Sequence, residues 1–255
     1  MADSGIHNPL LDFFRRGEVT RDVKELAARG ALAPGPLEQL ALLVLLVDDA
    51  DPGIAATAGE TLARIPPESL AAFLAREDVP APMRAFFAAR GIAAAPGAAA
   101  NDEGSLVPGT GADVADQDAT ADSKASLSTL GVTDRMKLAM RGTREQRAML
   151  IRDPNRLVAA AVLSSPKLTE SEVEAFAKMA NVSEEVLRII GTNRNWIKSY
   201  SVVSSLTRNP KTPPAISLRF VSRLVLRDIK SLVTDRNVQE RLRLAARKIL
   251  TKSRS

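Results

Sequence analysis

The residues able to do chemistry are few. His7 is the only histidine, and no neighbour in sequence would orient its ring as a general base of the Ser/His/Asp kind. One imidazole and no cysteine exclude imidazole clusters, thiolate metal sites, disulfides and cysteine nucleophiles. Asp48, Asp49 and Asp51 precede Pro52-Gly53, but they lack the spaced ligands and terminal bidentate Glu of a calcium loop. They read instead as a helix end, a turn and an N-cap. Glu170, Glu172 and Glu174 alternate, so on a helix neighbouring members point about 200° apart and do not converge on a substrate. They suit a helix start, where the dipole favours acids. No glycine-rich phosphate loop is present. The expectation is a chain that is not an enzyme and takes no cofactor and no metal.

What remains is binding chemistry. Trp196 and Tyr200 lie four apart and share a face if one helix carries both, with Arg194 and Lys198 interleaved. Arg223 and Arg227 repeat at the same spacing, so these six residues are the candidate partner-binding set. Aromatic residues at helical spacing also read as core packing. Arg219, Arg236, Arg243 and Arg247 form a candidate basic ridge, because Arg219, Arg223 and Arg227 recur every four residues and Arg243 and Arg247 do so on the last helix, about Asn237 to Thr251. Cations so placed repel by about a few tenths of a kcal/mol and invite an anionic partner such as nucleic acid. Lys and Arg near helix carboxyl ends also suit the dipole.

The elements that position them are helices. Aromatics are 4% of the chain while Ala, Leu, Val and Arg abound, which favours an all-α fold packed through small aliphatic side chains. Thr143 with Gln146 and Thr169 with Glu172 have capping-box spacing. Asp51-Pro52, Asp153-Pro154 and Thr212-Pro213 read as caps followed by proline at the first helical position. The most apolar run, Leu37 to Val47, is about half the roughly 20 residues of a membrane helix and reads as a buried core helix. The amino terminus lacks a basic region followed by an apolar stretch, so a cytoplasmic location is expected.

Charge divides the chain. Residues 1–130 hold 10 Lys and Arg against 19 Asp and Glu, and residues 131–255 hold 25 against 11. Between about Ala93 and Leu127 the sequence turns to Pro, Gly, Ala, Ser and Thr with six acidic residues and one Lys, and no apolar periodicity survives. Such a segment buries too little surface to offset its ordering entropy. The expected organisation is a helical block over 1–92, a flexible acidic linker over 93–127 and a helical repeat domain over 128–255.

The repeat rests on Asp153, Asn181, Asn209 and Asn237, which fall 28 residues apart. Nine residues after each stand Val162, Ile190, Leu218 and Ala246. Fifteen after stand Leu168, Trp196 and Leu224. Phe176-Ala177 and Leu232-Val233 mark a third column, which the middle copy breaks with Ser204-Ser205. In the first block Glu68 to Phe73 resembles Glu170 to Phe176 with one residue fewer. The runs Asp153 to Ala161 and Asn209 to Ala215 resemble the short helical repeats of the HEAT-like and leucine-rich-repeat-variant superfamily. That resemblance implies an α-solenoid of short helical hairpins of about 28 residues, in which no unit buries its apolar face alone. It also implies a scaffold that binds a protein partner, with sequence-independent binding of a nucleic-acid backbone as the alternative.

Overall fold

The computed structural model describes residues 8–32, 35–95, 106–107, 127 and 129–252. Regular structure among them is helical throughout, with no strand among the described residues. The first block holds α1 (Pro9–Arg15), α2 (Arg21–Ala28), α3 (Pro36–Leu46), α4 (Pro52–Ala63), α5 (Pro67–Leu74) and α6 (Ala81–Ala88). The second holds α7 (Val132–Arg141), α8 (Arg144–Leu150), α9 (Arg156–Leu163), α10 (Glu170–Lys178), α11 (Glu184–Thr192), α12 (Tyr200–Arg208), α13 (Pro214–Val221), α14 (Leu226–Thr234) and α15 (Glu240–Lys252). A 3₁₀ turn, Trp196–Lys198, interrupts the path from α11 to α12. No described helix is long and apolar enough to cross a membrane.

Local signals account for most starts. Both capping boxes form: Thr143 Oγ1 accepts from the Gln146 N–H while Gln146 Oε1 accepts from the Thr143 N–H, and Thr169 and Glu172 do the same. Asp51 caps α4 with Pro52 at the first position. The apolar run falls largely in α3, seven of whose eleven residues are buried, Gln39 among them. Two expected caps are displaced. Asp153 does not cap α9, which starts at Arg156 behind Asn155; its carboxylate accepts from the Asn155 N–H at 2.8 Å and pairs with Arg135. Thr212 does not cap α13, which begins at Pro214; Thr212 is fully buried and its hydroxyl has no hydrogen-bond partner.

The turns explain why. Five residues join α8 to α9, α10 to α11, α12 to α13 and α14 to α15, at 151–155, 179–183, 209–213 and 235–239. In the last three, the fourth position is a buried plug: Val182, Thr212 and Val238. A threonine in a valine position satisfies the packing and strands its hydroxyl. Connections on the other side vary, with six residues at 164–169, seven at 193–199 and four at 222–225. The repeat therefore measures 30 residues from α10 to α12 and 26 from α12 to α14. Its buried column is Val162, Ile190, Phe220 and Ala246, whereas Leu218, which a fixed period of 28 selects, is 40% exposed.

Helices two apart along the chain touch, so α8, α10 and α12 form one row and α7, α9, α11, α13 and α15 another. A buried ion pair ties the first row together: Arg147 on α8 holds both carboxylate oxygens of Glu172 on α10, and donates to the carbonyls of Gly142 and Lys167. At Gly191 the second row closes so tightly that an added Cβ would lie 2.6 Å from Ile216 on α13.

The first block does not stand apart. α1 packs on α9 and α2 on α7. Asn8 Oδ1 caps α1 and accepts from the Ser164 hydroxyl at 2.8 Å. Most of the expected linker, residues 96–105 and 108–126, lies outside the described residues, as does His7. Within it, Leu106 and Val107 are packed rather than free, because the Leu106 N–H donates to Gln39 and Val107 sits against Gly30. Gly30 ends α2 in the left-handed region (φ +75°), and its missing side chain leaves that notch.

Two stability measurements follow. Replacing Thr212 with Val keeps the shape and removes the stranded hydroxyl, so the urea midpoint rises by the equivalent of about 1 kcal/mol. Arg147→Met leaves the Glu172 carboxylate buried without its cation and lowers stability by about 3 kcal/mol in the same titration.

Candidate functional site

A concavity of about 870 Å³ runs across α10, α12 and α14. α12 supplies its floor, since Tyr200, Ser204 and Arg208 recur every four residues on one face. α10 contributes Glu174 and Lys178, and α14 contributes Arg227 and Asp228. Asn209 and Asp235 contribute from the five-residue turns.

Asp228 organises the groove. It is buried, and α14 carries it at a position where α12 has Val202 and α10 has Glu172. The Tyr200 hydroxyl donates to its Oδ2 at 2.5 Å, and Arg208 Nη2 donates to Oδ1 at 2.9 Å. The same hydroxyl accepts from the Val225 N–H at 3.2 Å, satisfying the backbone donor of the residue that precedes α14. The Tyr200 hydrogen bond, with the charges of Arg208 and Arg227, holds Asp228 below the usual carboxylate range against the opposing effect of burial. Burial, then the neighbouring carboxylate, pushes the Tyr200 phenol above its ordinary value. On α10, Lys178 and the Ser201 hydroxyl hold Glu174 low.

The sequence candidates divide between the groove and the connections outside its lining. Tyr200 and Arg227 line the groove. Arg194, Trp196 and Lys198 stand in the 193–199 connection, and Arg223 in the next connection donates to the Ile197 carbonyl at 2.7 Å. Trp196 and Tyr200 do not share a helix face, because Ser199 adopts extended backbone between the 3₁₀ turn and α12; Trp196 is half-buried against the core. Nor do Arg219, Arg223 and Arg227 share one helix. Arg219 lies on α13, where it donates to the Gly191 carbonyl at 2.6 Å, Arg223 in a connection and Arg227 on α14. Arg236 occupies the turn before α15, whose outer side carries Arg243 and Arg247. Sequence reasoning missed Asp228, Arg208 and Ser204. The usable signal was the separation of Tyr200 and Asp228, 28 residues, the mean repeat length.

Among the described residues, no group of acids and histidines is arranged to hold a metal ion. Comparisons with protein-family models, with curated proteins and with solved structures find no match for this chain.

The two shifts have opposite consequences with pH. Asp228 has a folded value below its unfolded one, so its contribution is complete above about pH 3.9 and is lost as pH falls through the lowered value. Tyr200 has a raised folded value, so its contribution is complete below about pH 10 and is lost as pH rises through that value. Tyr200→Phe lowers stability by about 1 kcal/mol at neutral pH, the modest figure reflecting a ring that is 41% exposed. The difference between the thermal melts of the two proteins should narrow as pH falls through the lowered Asp228 value.

Proposed function

We propose that this chain is a non-enzymatic interaction scaffold, an α-solenoid of the HEAT-like or leucine-rich-repeat-variant kind, that binds a polypeptide segment in the groove across α10, α12 and α14. The recurring helix pairs, with their five-residue turns and row-by-row contacts, support the solenoid reading. The groove carries the functional reading. It offers an aromatic ring at Tyr200, a hydroxyl at Ser204 that makes no hydrogen bond among the described residues, and ionised groups of both signs. An extended polypeptide presents backbone donors and acceptors with side chains of either charge, and matches such a lining.

A nucleic-acid backbone is the less suited occupant. Lys178, Arg208 and Arg227 face Glu174, Asp228 and Asp235 across the same space, so the groove presents no excess of positive charge. Arg194, Trp196, Lys198 and Arg223 serve as rim contacts in this reading.

Selection of random displayed peptides on the full chain tests it, with affinities measured by fluorescence anisotropy. Ser204→Trp should weaken selected peptides at least about tenfold, a change of about 1.4 kcal/mol, while leaving the melting curve unchanged. Failure to select any peptide, or affinities indifferent to Ser204→Trp, would count against the groove. Micromolar binding of random duplex DNA that collapses between about 50 and 200 mM salt, and ignores Ser204→Trp, would move the function to the nucleic-acid alternative.

A further inference from the structure

Most charges that line the groove are already committed to one another. Lys178 pairs with Glu174, and Arg208 pairs with the buried Asp228. Two are not. Arg227 approaches Asp228 only to 3.6 Å, with its side chain 88% exposed, and Asp235 makes no ion pair among the described residues. Both line the groove, from opposite ends of α14.

Each stands where the helix disfavours it. Arg227 lies in the first turn of α14, at the positive pole of the dipole, and Asp235 is the C-cap, at the negative pole. The local backbone requires neither charge. At the second helical position, where α14 has Arg227, α10 carries Ser171 and α12 carries Ser201. At the C-cap, α12 carries Asn209, whose Oδ1 accepts from the Lys211 N–H at 3.0 Å just as Asp235 Oδ1 accepts from the Asn237 N–H at 2.9 Å. An asparagine therefore makes the same turn without a charge, and its amide also donates to the carbonyls of Ala177 and Met179. A carboxylate at this position forgoes those donors and sets a negative charge against the dipole.

We infer that Arg227 and Asp235 select the occupant of the groove: a polypeptide segment with an acidic side chain over the start of α14 and a basic one over its end. The inference rests on the reading of the groove as a polypeptide site and adds the chemistry it recognises. Eight residues of helical path separate the two positions, about 12 Å. An extended chain covers that distance in about four residues, an even interval that returns both side chains to the same face. The committed pairs, Lys178 with Glu174 and Arg208 with Asp228, leave no other strong charge in the lining to compete for either side chain.

Peptides selected from a random display library on the full chain test the inference. An acid and a base about four residues apart should recur among them. One such peptide, made synthetically and followed by fluorescence anisotropy, should bind Arg227→Glu and Asp235→Asn about fivefold more weakly than the wild type, which is what one exposed ion pair contributes. Replacing the acid of that peptide with Lys should restore binding to Arg227→Glu and not to the wild type. Asp235→Asn should also melt higher than the wild type, since it removes a charge that the dipole opposes. Peptides that Ser204→Trp weakens, yet that bind both charge variants as tightly as the wild type, overturn the inference and leave the polypeptide site standing. If the full chain retains no peptide at all, both fall. Weakening by Arg227→Glu that the exchanged peptide does not repair overturns the inference, as does an Asp235→Asn variant that melts lower, because those residues would then be holding the fold rather than reading a ligand.

Discussion

A helix of eight residues leaves its last four carbonyls without an intrahelical donor, half of all it has. Helices of the second block run from 7 to 13 residues, so finding donors for their carboxyl ends is the constraint on which its packing depends. The answer is to borrow from neighbouring pairs. Arg219 donates to Gly191 and Arg223 to Ile197; the Asn209 amide donates to Ala177 and Met179, and Gln239 to Pro210 and Thr212. These carbonyls, at the ends of α10 and α11 and in the connections beyond α11 and α12, are satisfied by residues 26 to 32 positions later, so the pairs that carry them lean on the pair after. The same device explains part of the basic composition, since a cation at a carboxyl end meets both the free carbonyl and the negative pole of the dipole.

That arrangement sets what could be read in advance. Capping boxes at Thr143 and Thr169 were legible because they need only three residues of context. Asp153-Pro154 and Thr212-Pro213 carry the same letters but serve other ends, an Asx turn and a buried plug, and nothing local distinguishes those uses. The period of 28 holds between the outer copies and slips by two in the middle one. The connection holding Trp196 has seven residues and the next has four, and surface connections absorb length at little energetic cost. The slip turned Leu206-Thr207, both buried, into an apparent Ser204-Ser205 defect. Tyr200 and Arg227 could be picked out by residue type, but Arg208 and Asp228 acquire meaning only through contacts across 20 and 28 residues.

Two acids at equivalent positions show how one module yields both a strut and a site. Glu172 is the third residue of α10 and Asp228 the third of α14, and each is bound by the helix two before it in the chain. Glu172 meets a fully buried Arg147 and has its remaining valence filled by Thr169, so that interaction is closed to solvent. Asp228 meets Tyr200 and Arg208, both exposed on their outer sides, so the same chemistry lies on the wall of an open groove. Fixing these polar groups from behind keeps them from collapsing on one another and leaves their outer faces oriented. Preorganisation of this sort reduces the entropy an incoming segment must lose.

The start of the second block is covered by the first. At its start, α2 packs on α7 and α1 on α9, and Ala160 and Ser164 are buried there while Arg188 and Leu218, at the position matching Ala160, face solvent. The first block thus covers an outer surface that later helices leave bare, and the Asn8–Ser164 hydrogen bond fixes where α1 sits. On α15 the fourth and eighth positions, which are buried on α9, α11 and α13, carry Arg243 and Arg247. The groove lies on the other side, away from the helices against which α1 and α2 pack.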